Sequence, residues 1–246
     1  MLIHGFHAVT ARLKRGGEGV SELYVAGTRD DARVRELVKL AEHSGVRPIF
    51  VDAARIDKLC PGRRHQGVVL AAQASLPSVD LHTLLAAEEK PRLLLLDGVT
   101  DPRNLGACLR VADAAGVQAV IAPKDHACPL TDVAIQTSSG AAETVPYLMV
   151  TNLARAMETI KEHGIWLVGT ADEAPTSLYE CELPHPLAWV LGAEGKGLRR
   201  LTRENCDLLV RIPMAGSVSS LNVSVAAGVV LFESVRQQAA RERAAC

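Results

Sequence analysis

Short apolar runs alternate with amphipathic stretches along the first 73 residues of the chain. Apolar residues at helical spacing predict helices, and short runs rich in β-branched residues predict strands. The predicted helices are 8–15, 31–43 and 53–59, and the predicted strands are 22–26, 47–51 and 67–72. Asp30 or Asp31 can cap the second helix. The pattern predicts a compact α/β unit.

Residues 74–90 interrupt this rhythm with Pro and Ser before a short helical stretch, and we place a linker there. Beyond it, strand and helix patterns alternate again. The predicted strands are 92–97, 119–123, 145–150, 165–170, 188–191 and 208–212, and the predicted helices are 104–115, 132–138, 153–163 and 198–205. Such alternation predicts a parallel sheet covered by helices on both faces. The expected domains are therefore 1–73 and 91–246.

The stretch 211–232 reads as a strand, a Gly and Ser loop, and an apolar helix from about Leu221. No charge interrupts it after Arg211, so a membrane span has to be considered. Its proline, serines and asparagine leave too short an apolar run for the roughly 20 residues that a span needs. We therefore predict a buried helix and no membrane partner. Taken alone, the loop before it has an ordinary structural interpretation, an N-cap at Ser219 or Ser220.

Three loops each follow a predicted strand and lead into a predicted helix, namely 97–116, 191–198 and 211–232. In an open α/β sheet, ligands lie at the carboxyl ends of strands. The first turn of a helix leaves amides unpaired, and Gly or Ser lets a ligand come close. We expect these three loops to form one site.

The net charge of -1 argues against general binding to polyanions, but the charge is unevenly distributed. Residues 1–73 carry 12 Lys and Arg against 8 Asp and Glu, a net charge of +4, and the remainder carries -5. A basic front unit suits an accessory nucleic-acid contact, although a solvated charged surface explains it equally well. Arg63, Arg64 and His65 lie in a turn-rich segment and are candidate phosphate contacts, with a solvated turn as the alternative.

The six cysteines contain no C-x-x-C pair, which favours reduced thiols over disulfides or a zinc site. From this cysteine pattern we expect no metal. The first ten residues show no export signal, so we expect a cytoplasmic protein. The glycine-rich segment 192–197 has the wrong spacing for a phosphate-cradling loop, and Lys196 is followed by Gly197 instead of Ser or Thr. Asp97-Gly98-Val99 likewise does not fit a dinucleotide-binding turn.

Three longer motifs are more specific. The ribose 2′-O-methyltransferases of the TrmH/SpoU family have motifs that resemble N-L-G-A-C-L-R (104–110), L-G-A-E-G-K-G-L (191–198) and I-P-M-A-G-S-V-S-S-L-N-V-S-V-A (212–226). The resemblance covers nearly all of 93–236 in order and spacing. The front unit is similar to the small L30e-like RNA-binding domain of members that act on ribosomal RNA.

The resemblance implies a C-terminal trefoil-knotted, parallel-sheet (SPOUT) methyltransferase domain and S-adenosylmethionine as the cofactor. Backbone near Leu191, Gly192, Ile212 and Leu221 would contact the adenine and ribose. Members of the family usually act as homodimers with the site close to the subunit interface. The matching phrases resemble most the members that methylate a guanosine ribose in the peptidyl-transferase P-loop of 23S RNA.

The family's catalytic positions fall on five residues of this chain. Arg110 would lie near the target hydroxyl and a phosphate, Asn104 and Glu194 would shape the substrate and cofactor positions, and Ser220 and Asn222 would hold the catalytic loop. The family proposal makes the arginine a general base. A guanidinium with a pKa above about 12 is a poor proton acceptor, so we prefer phosphate positioning and stabilisation of a developing alkoxide.

Taken singly, each of these residues also has an ordinary structural interpretation. Arg110 fits a surface helix position, Asn104 an N-cap, Glu194 a turn carboxylate and Asn222 a first helical turn. Arg199 follows the second loop and is a candidate RNA contact, or else part of the solvated face of a short helix.

The predicted function is therefore methylation of a guanosine ribose in 23S RNA, with RNA and not DNA as the partner. A tRNA ribose methyltransferase of the same family is the first alternative, although such an enzyme would not normally need the front unit. A catalytically silent RNA-binding or ribosome-assembly factor is the second.

Overall fold

A computed structural model of the chain describes residues 2–14, 16, 19–27, 29, 31–72, 76–193, 195 and 197–245. The chain divides into two compact units, Met1–Ser75 and Leu76–Cys246. Each unit has hydrophobic clusters of its own. None of the helices in these described ranges is long and apolar enough to cross a membrane.

The first unit is built on a mixed sheet with the strand order β1-β4-β2-β3. Its elements are β1 Leu2–His4, α1 Phe6–Lys14, β2 Val20–Ala26, α2 Ala32–His43, β3 Pro48–Val51, α3 Ala53–Leu59 and β4 Val68–Ala72. Strand β4 runs antiparallel to β1 and β2, and β2 runs parallel to β3. The predicted elements are confirmed to within two residues, whereas β1 is too short to show periodicity.

Helix α2 shows how the sequence sets these boundaries. Asp31 precedes the helix, and its side chain accepts hydrogen bonds from the backbone N–H groups of Arg33 and Val34. Asp30, the other predicted cap, lies outside the described residues. The buried positions Val34, Leu37 and Ala41 follow the helical period and face the core of the unit.

The second unit contains a seven-stranded sheet with the order β7-β6-β5-β10-β8-β11-β9. Its strands are β5 Leu93–Asp97, β6 Ala119–Pro123, β7 Tyr147–Val150, β8 Trp166–Thr170, β9 Thr176–Ser177, β10 Leu187–Gly192 and β11 Leu208–Arg211. Its helices are α4 Leu81–Ala87, α5 Pro102–Ala114, α6 Asp132–Thr137, α7 Leu153–Glu162, α8 Arg200–Glu204 and α9 Val223–Ala245, with a 3₁₀ turn at Ala141–Glu143.

All strand pairs recorded in this sheet are parallel, which confirms the predicted parallel sheet. The two-residue strand β9 was not predicted, and α8 is shorter than the predicted 198–205. Strand order progresses outward from β5 through β6 to β7 on one side and starts again at β10 on the other. The boundary between β5 and β10 is thus a topological switch point, where ligands bind in open α/β sheets.

Helices cover both faces of the sheet, as predicted. On one face, Leu94, Leu96 and Trp189 pack in a cluster with residues of α5 and α9. On the other face, Leu93 and Leu95 pack in a cluster with residues of α4 and α7. Burial on both faces explains why the central strands β5, β6 and β10 read as nearly continuous apolar runs.

The C-terminal helix α9 packs against the sheet as the predicted buried helix. Its buried apolar positions recur at helical spacing, and they are Val223, Ala227, Val230 and Leu231, while Glu233 and Ser234 are buried polar residues of the same helix. The indole N–H of the fully buried Trp189 donates to Ser234 Oγ at 2.7 Å. This hydrogen bond satisfies two polar groups inside the core and links α9 to the middle of β10.

Candidate active site

The second predicted loop leaves the end of β10 in a tight turn. The backbone N–H of Gly197 donates to the carbonyl of Ala193 at 2.9 Å. A Cβ atom on Gly192 would overlap the backbone of Gly197 and Leu198, so only glycine fits that position. Gly195 and Gly197 also have positive φ angles of 72° and 64°, a conformation that L side chains rarely adopt.

A cavity of about 290 Å³ opens between the ends of β8, β10 and β11 and the start of α9. We call it the β10–β11 cavity. Leu191, Gly192, Ile212 and Leu221, the four predicted cofactor contacts, all line it, and so does Ser220. The structure therefore brings the second and third predicted loops together around one cavity.

A second and wider cleft, of about 620 Å³, lies at the end of β5. This β5 cleft is lined by Asn104 from the start of α5, and by Ala193, Gly197 and Val223. Those last three residues also line the β10–β11 cavity. The two spaces therefore share a wall, and all three predicted loops contribute to one composite site.

Asn222 joins the first and third loops at this wall. Its side-chain N–H donates to Asn104 Oδ1 at 3.0 Å. Its own Oδ1 accepts from the backbone N–H of Ser224 at 2.9 Å and from the Ser224 hydroxyl at 2.6 Å. Asn222 therefore makes the capping hydrogen bond that the ordinary structural interpretation assigned to Ser219 or Ser220.

The ordinary interpretation of Asn104 as an N-cap is wrong for a similar reason. Asp101 precedes α5, and its Oδ1 accepts from the N–H of Arg103 at 2.7 Å. Asn104 lies one turn into the helix, so its side chain is left for the contact with Asn222. Gly106 lets α6 approach this helix, because a Cβ there would lie 2.5 Å from the carbonyl oxygen of Ala134.

Arg110 lies further along α5 and is exposed. It does not line the β10–β11 cavity or the β5 cleft, and it makes no hydrogen bond or ion pair with the residues that the structure describes. Six residues of helix separate it from Asn104, which corresponds to roughly 9 Å along the axis. Glu194 lies outside the described residues.

Arg199 forms an ion pair at the edge of the β5 cleft. Its backbone N–H donates to Asp97 Oδ2 at 3.0 Å and its Nε to Asp97 Oδ1 at 2.6 Å, and its Nη2 pairs with the same Oδ1. Asp97 is the last residue of β5 and is buried, whereas the Arg199 side chain is half exposed. The guanidinium of Arg199, which was predicted to contact RNA, is thus already paired with a carboxylate.

In the first unit, Arg63 and Arg64 are exposed on the predicted loop. The ring of His65 is engaged within its own unit, because its Nδ1 accepts from the N–H of Gly67 at 3.1 Å. Its Nε2 then carries the proton and lies 2.8 Å from Asp57 Oδ1. The two arginines are available to a phosphate, and the histidine holds the loop.

Several lining residues were not predicted from the sequence. Asp172 and Glu173 follow β8 and line the β10–β11 cavity, where Glu173 pairs with Arg203. Asp101 and His126 line the β5 cleft, and His126 has a φ angle of 62°, which is uncommon for a residue with a Cβ. The strand-end rule already pointed to the loop after β8, but no motif marked its residues.

The β10–β11 cavity fits a nucleoside cofactor by its size and its chemistry. Cofactor sites are mostly apolar clefts of about 300–1,000 Å³ with a few polar groups, and the volume of this cavity, about 290 Å³, lies next to the lower limit of that range. Leu191, Ile212 and Leu221 supply apolar surface for a base, and Asp172 and Glu173 supply carboxylates that can accept from hydroxyl or amino groups. Within the described ranges, no group of three or more His, Cys, Asp or Glu residues could hold a metal ion.

Comparison with known proteins agrees with this geometry. Residues 91–232 match the SpoU rRNA Methylase family, and residues 2–77 match a family described as RNA 2'-O ribose methyltransferase substrate binding. The chain belongs to the SpoU rRNA methylase family. The family resemblance and the fold class predicted from the three motifs are confirmed, while the knot itself stays a prediction.

Two of the relatives below cover nearly all of the chain, and a third covers about two thirds of it. The 23S rRNA (guanosine-2'-O-)-methyltransferase RlmB of Ralstonia nicotianae is 56% identical over 238 residues, which are 96% of this chain and 96% of that protein. The SpoU methyltransferase AviRb from Streptomyces viridochromogenes, solved in complex with AdoMet, has a TM-score of 0.75 and 28% identity, over 97% of this chain and 90% of that chain. The A. aeolicus TrmH/SpoU tRNA modifying enzyme has a TM-score of 0.57 and 27% identity, over 66% of this chain and 82% of that chain.

Proposed function

We propose that this protein transfers the methyl group of S-adenosylmethionine to the ribose 2′-oxygen of a guanosine in 23S RNA. The observation that carries the proposal is the shared wall between the β10–β11 cavity and the β5 cleft, with the Asn104–Asn222 hydrogen bond beside it. A two-substrate transfer needs this arrangement, because the reacting groups must be held in line and close together.

The cofactor belongs in the β10–β11 cavity, against Leu191, Gly192, Ile212 and Leu221. When bound there, it supplies a methyl group already activated by the positive sulfonium. The protein must then align the ribose hydroxyl and favour loss of its proton. Ser220 lines the same cavity, and Asn222 fixes the start of α9 against α5.

We assign to Arg110 the stabilisation of the negative charge that develops during the reaction. A guanidinium carries five N–H donors and stays protonated, so it can hold a phosphate oxygen and stabilise an oxyanion developing on the ribose. Its exposure and its lack of partners among the described residues leave these donors available to RNA. Asn104 and Glu194 complete the proposed catalytic set.

The substrate is proposed from two observations. The curated relative that is 56% identical is named for 23S rRNA and guanosine, and it aligns with 96% of this chain, including the first unit. The tRNA modifying enzyme covers only 66% of this chain. We assign the first unit to RNA selection through Arg63 and Arg64, with the P-loop guanosine as the target and the cytoplasm as the place of action.

We also propose that the protein acts as a homodimer through α9. Val225 and Phe232 are about half exposed on this helix, seven residues apart and therefore on one face. Helix α9 packs beside α5, where Gly228 faces Val111. A second copy covering this face would place the α5 helix, and with it Arg110, near the subunit interface. Sedimentation should show a dimer that Phe232→Glu dissociates and that Val133→Glu, an exposed change on α6, does not.

The function is tested by transfer of labelled methyl from S-adenosylmethionine to unmodified 23S RNA, to precursor large-subunit particles and to bulk tRNA. The modified nucleoside is identified after digestion, and the modified position is mapped. We expect 2′-O-methylguanosine in 23S RNA, either naked or in particles, and none in tRNA. Label in tRNA alone would replace the proposed substrate. Cofactor binding without transfer to any of the three would support the silent RNA-binding alternative.

A further inference from the structure

We propose that Asp97 and Arg199 form a positioning pair that holds the wall between the cofactor cavity and the substrate cleft. Arg199 then supports methyl transfer by holding the loop 193–198 in position, and not by binding an RNA phosphate. The inference rests on the proposed function, because the wall matters only if both spaces are filled during the reaction. It concerns a residue that the sequence marked as a candidate RNA contact or as part of the solvated face of a short helix.

Asp97 holds the loop at both of its ends. At the entrance, Gly192 is the parallel partner of Asp97 in the pairing of β10 with β5. At the exit, the Asp97 carboxylate accepts from the backbone N–H and the Nε of Arg199 at 3.0 and 2.6 Å. The chain therefore leaves the sheet at Gly192, beside Asp97, and Arg199 contacts the Asp97 side chain.

The pinned loop forms the shared wall. Ala193 and Gly197, joined by their own hydrogen bond of 2.9 Å, line both the β10–β11 cavity and the β5 cleft. A shift of this turn would change the position of the cofactor relative to the ribose. Since in-line transfer is sensitive to displacements of about 1 Å, a loosened wall is expected to lower the rate of the chemical step.

The electrostatics favour a permanent contact. The Asp97 side chain has no exposed surface, and a buried carboxylate is costly unless it is paired and hydrogen-bonded. Arg199 supplies both the countercharge and two of the hydrogen bonds. Withdrawing the guanidinium towards a phosphate would leave that carboxylate buried without its partner. The neighbouring Arg200 differs, because it pairs with the partly exposed Glu204 of its own helix.

Arg199→Ala and Arg200→Ala are the matched pair of variants for the test, measured in the full-length protein with 23S RNA. For Arg199→Ala we expect kcat to fall on the order of 100-fold, with the RNA dissociation constant and its salt dependence unchanged. We expect Arg200→Ala to keep its kcat. Guanidinium ions should restore part of the activity to Arg199→Ala, which a general loss of folding would not allow.

The opposite pattern would overturn the proposal. If Arg199 held a phosphate, Arg199→Ala would keep kcat at saturating RNA, and the slope of log K against log salt would fall by roughly 0.7–0.9. Asp97→Asn sharpens the distinction, because freeing the cation should then tighten RNA binding. If the two residues are a positioning pair, Asp97→Asn lowers kcat instead. The kcat of the double variant, Asp97→Asn with Arg199→Ala, is then no lower than the kcat of the less active single variant.

Failure of the proposed function gives a different result from failure of this inference. An inactive wild-type protein on all three RNA substrates would refute the function. An active wild-type protein with a fully active Arg199→Ala variant would refute only the positioning role. If Asp97→Asn does not fold, Arg199→Lys replaces it. That variant keeps the charge but not the fork of donors, and the proposal expects low kcat from it.

Discussion

The side-chain amide of Asn222 donates to Asn104 across 118 positions of sequence, at 3.0 Å. This hydrogen bond joins the start of α5 to the start of α9, beside the wall that the two cavities share. Both helices begin at the carboxyl edge of the same sheet, so their first turns meet over the switch point between β5 and β10.

Asn222→Ser tests this contact, because serine is also a good N-cap but does not reach Asn104. We expect methyl transfer to fall in Asn222→Ser and in Asn104→Ala, and the double variant to fall less than the two effects combined. The coupling should be about 1 kcal/mol, from the ratios of kcat/KM in the four proteins. Additive losses would mean that the two residues act independently.

Arg110→Ala should retain S-adenosylmethionine binding and lose methyl transfer by about 100-fold or more, because stabilisation of the developing oxyanion is removed. Calorimetry measures the first quantity and a single-turnover assay the second. Arg155→Ala, a change of another exposed arginine on α7, serves as the control and should be active. Full activity of Arg110→Ala would remove Arg110 from the mechanism.

Gly192→Ala should abolish cofactor binding and lower the free energy of unfolding by roughly 1–3 kcal/mol, because its methyl group overlaps the returning backbone at Gly197. Gly216→Ala is the matched control in the third loop, where no atom lies within 4 Å of the position that the new methyl group would take. Thermal unfolding and calorimetry check both variants. Normal cofactor affinity in Gly192→Ala would contradict the placement of Gly197 and Leu198 beside Gly192.

Arg63→Ala combined with Arg64→Ala should weaken RNA binding and leave cofactor affinity unchanged. Each lost phosphate contact lowers the slope of log K against log salt by roughly 0.7–0.9, so two contacts lower it by roughly 1.4–1.8. Filter binding over a salt series gives the slope. Arg47→Ala, an exposed change elsewhere in the first unit, should alter it less. An unchanged slope in the double variant would favour the solvated turn.

The thiol of Cys206 should make the folded protein less stable at alkaline pH. Burial, and secondarily the charge of Asp207, raises the pKa of its thiol to about 12. In the unfolded chain the thiol has a pKa of about 8.5, so its ionisation favours the unfolded chain once the pH exceeds that value. The wild type should lose roughly 1 to 2 kcal/mol more than Cys206→Ala between about pH 8 and pH 10 in denaturant titrations. Parallel pH profiles of the two proteins would contradict this.

Local pattern was sufficient for most of the secondary structure and for the family. Strands β6 and β8 and helices α3 and α7 were predicted to within a residue, because burial on both faces or on one helical face leaves a clear apolar period. The motifs also picked out Leu191, Gly192, Ile212 and Leu221, the proposed cofactor contacts, and all four line the β10–β11 cavity. They belong to long motifs whose strand, turn and helix context is local.

Other features had no local pattern that could predict them. The capping role of Asn222 displaced Ser219 and Ser220 only because α9 begins at Val223. Strand β9 has two residues, too few for any period to show. The lining positions Asp172 and Glu173 carry no motif, and they reach the cavity because β8 lies next to β10 in the sheet.

The sequence by itself determined the apolar periods, the glycines that permit the tight loops, and the three motifs that mark the family. Only the tertiary structure decided that Asp97 and Arg199 meet across 102 positions, that Asn104 contacts Asn222, and that two cavities share one wall. The physical reason is that periodicity and capping are set by neighbours within a few residues. Strand order, which brings distant loops together, is set by the packing of the whole sheet.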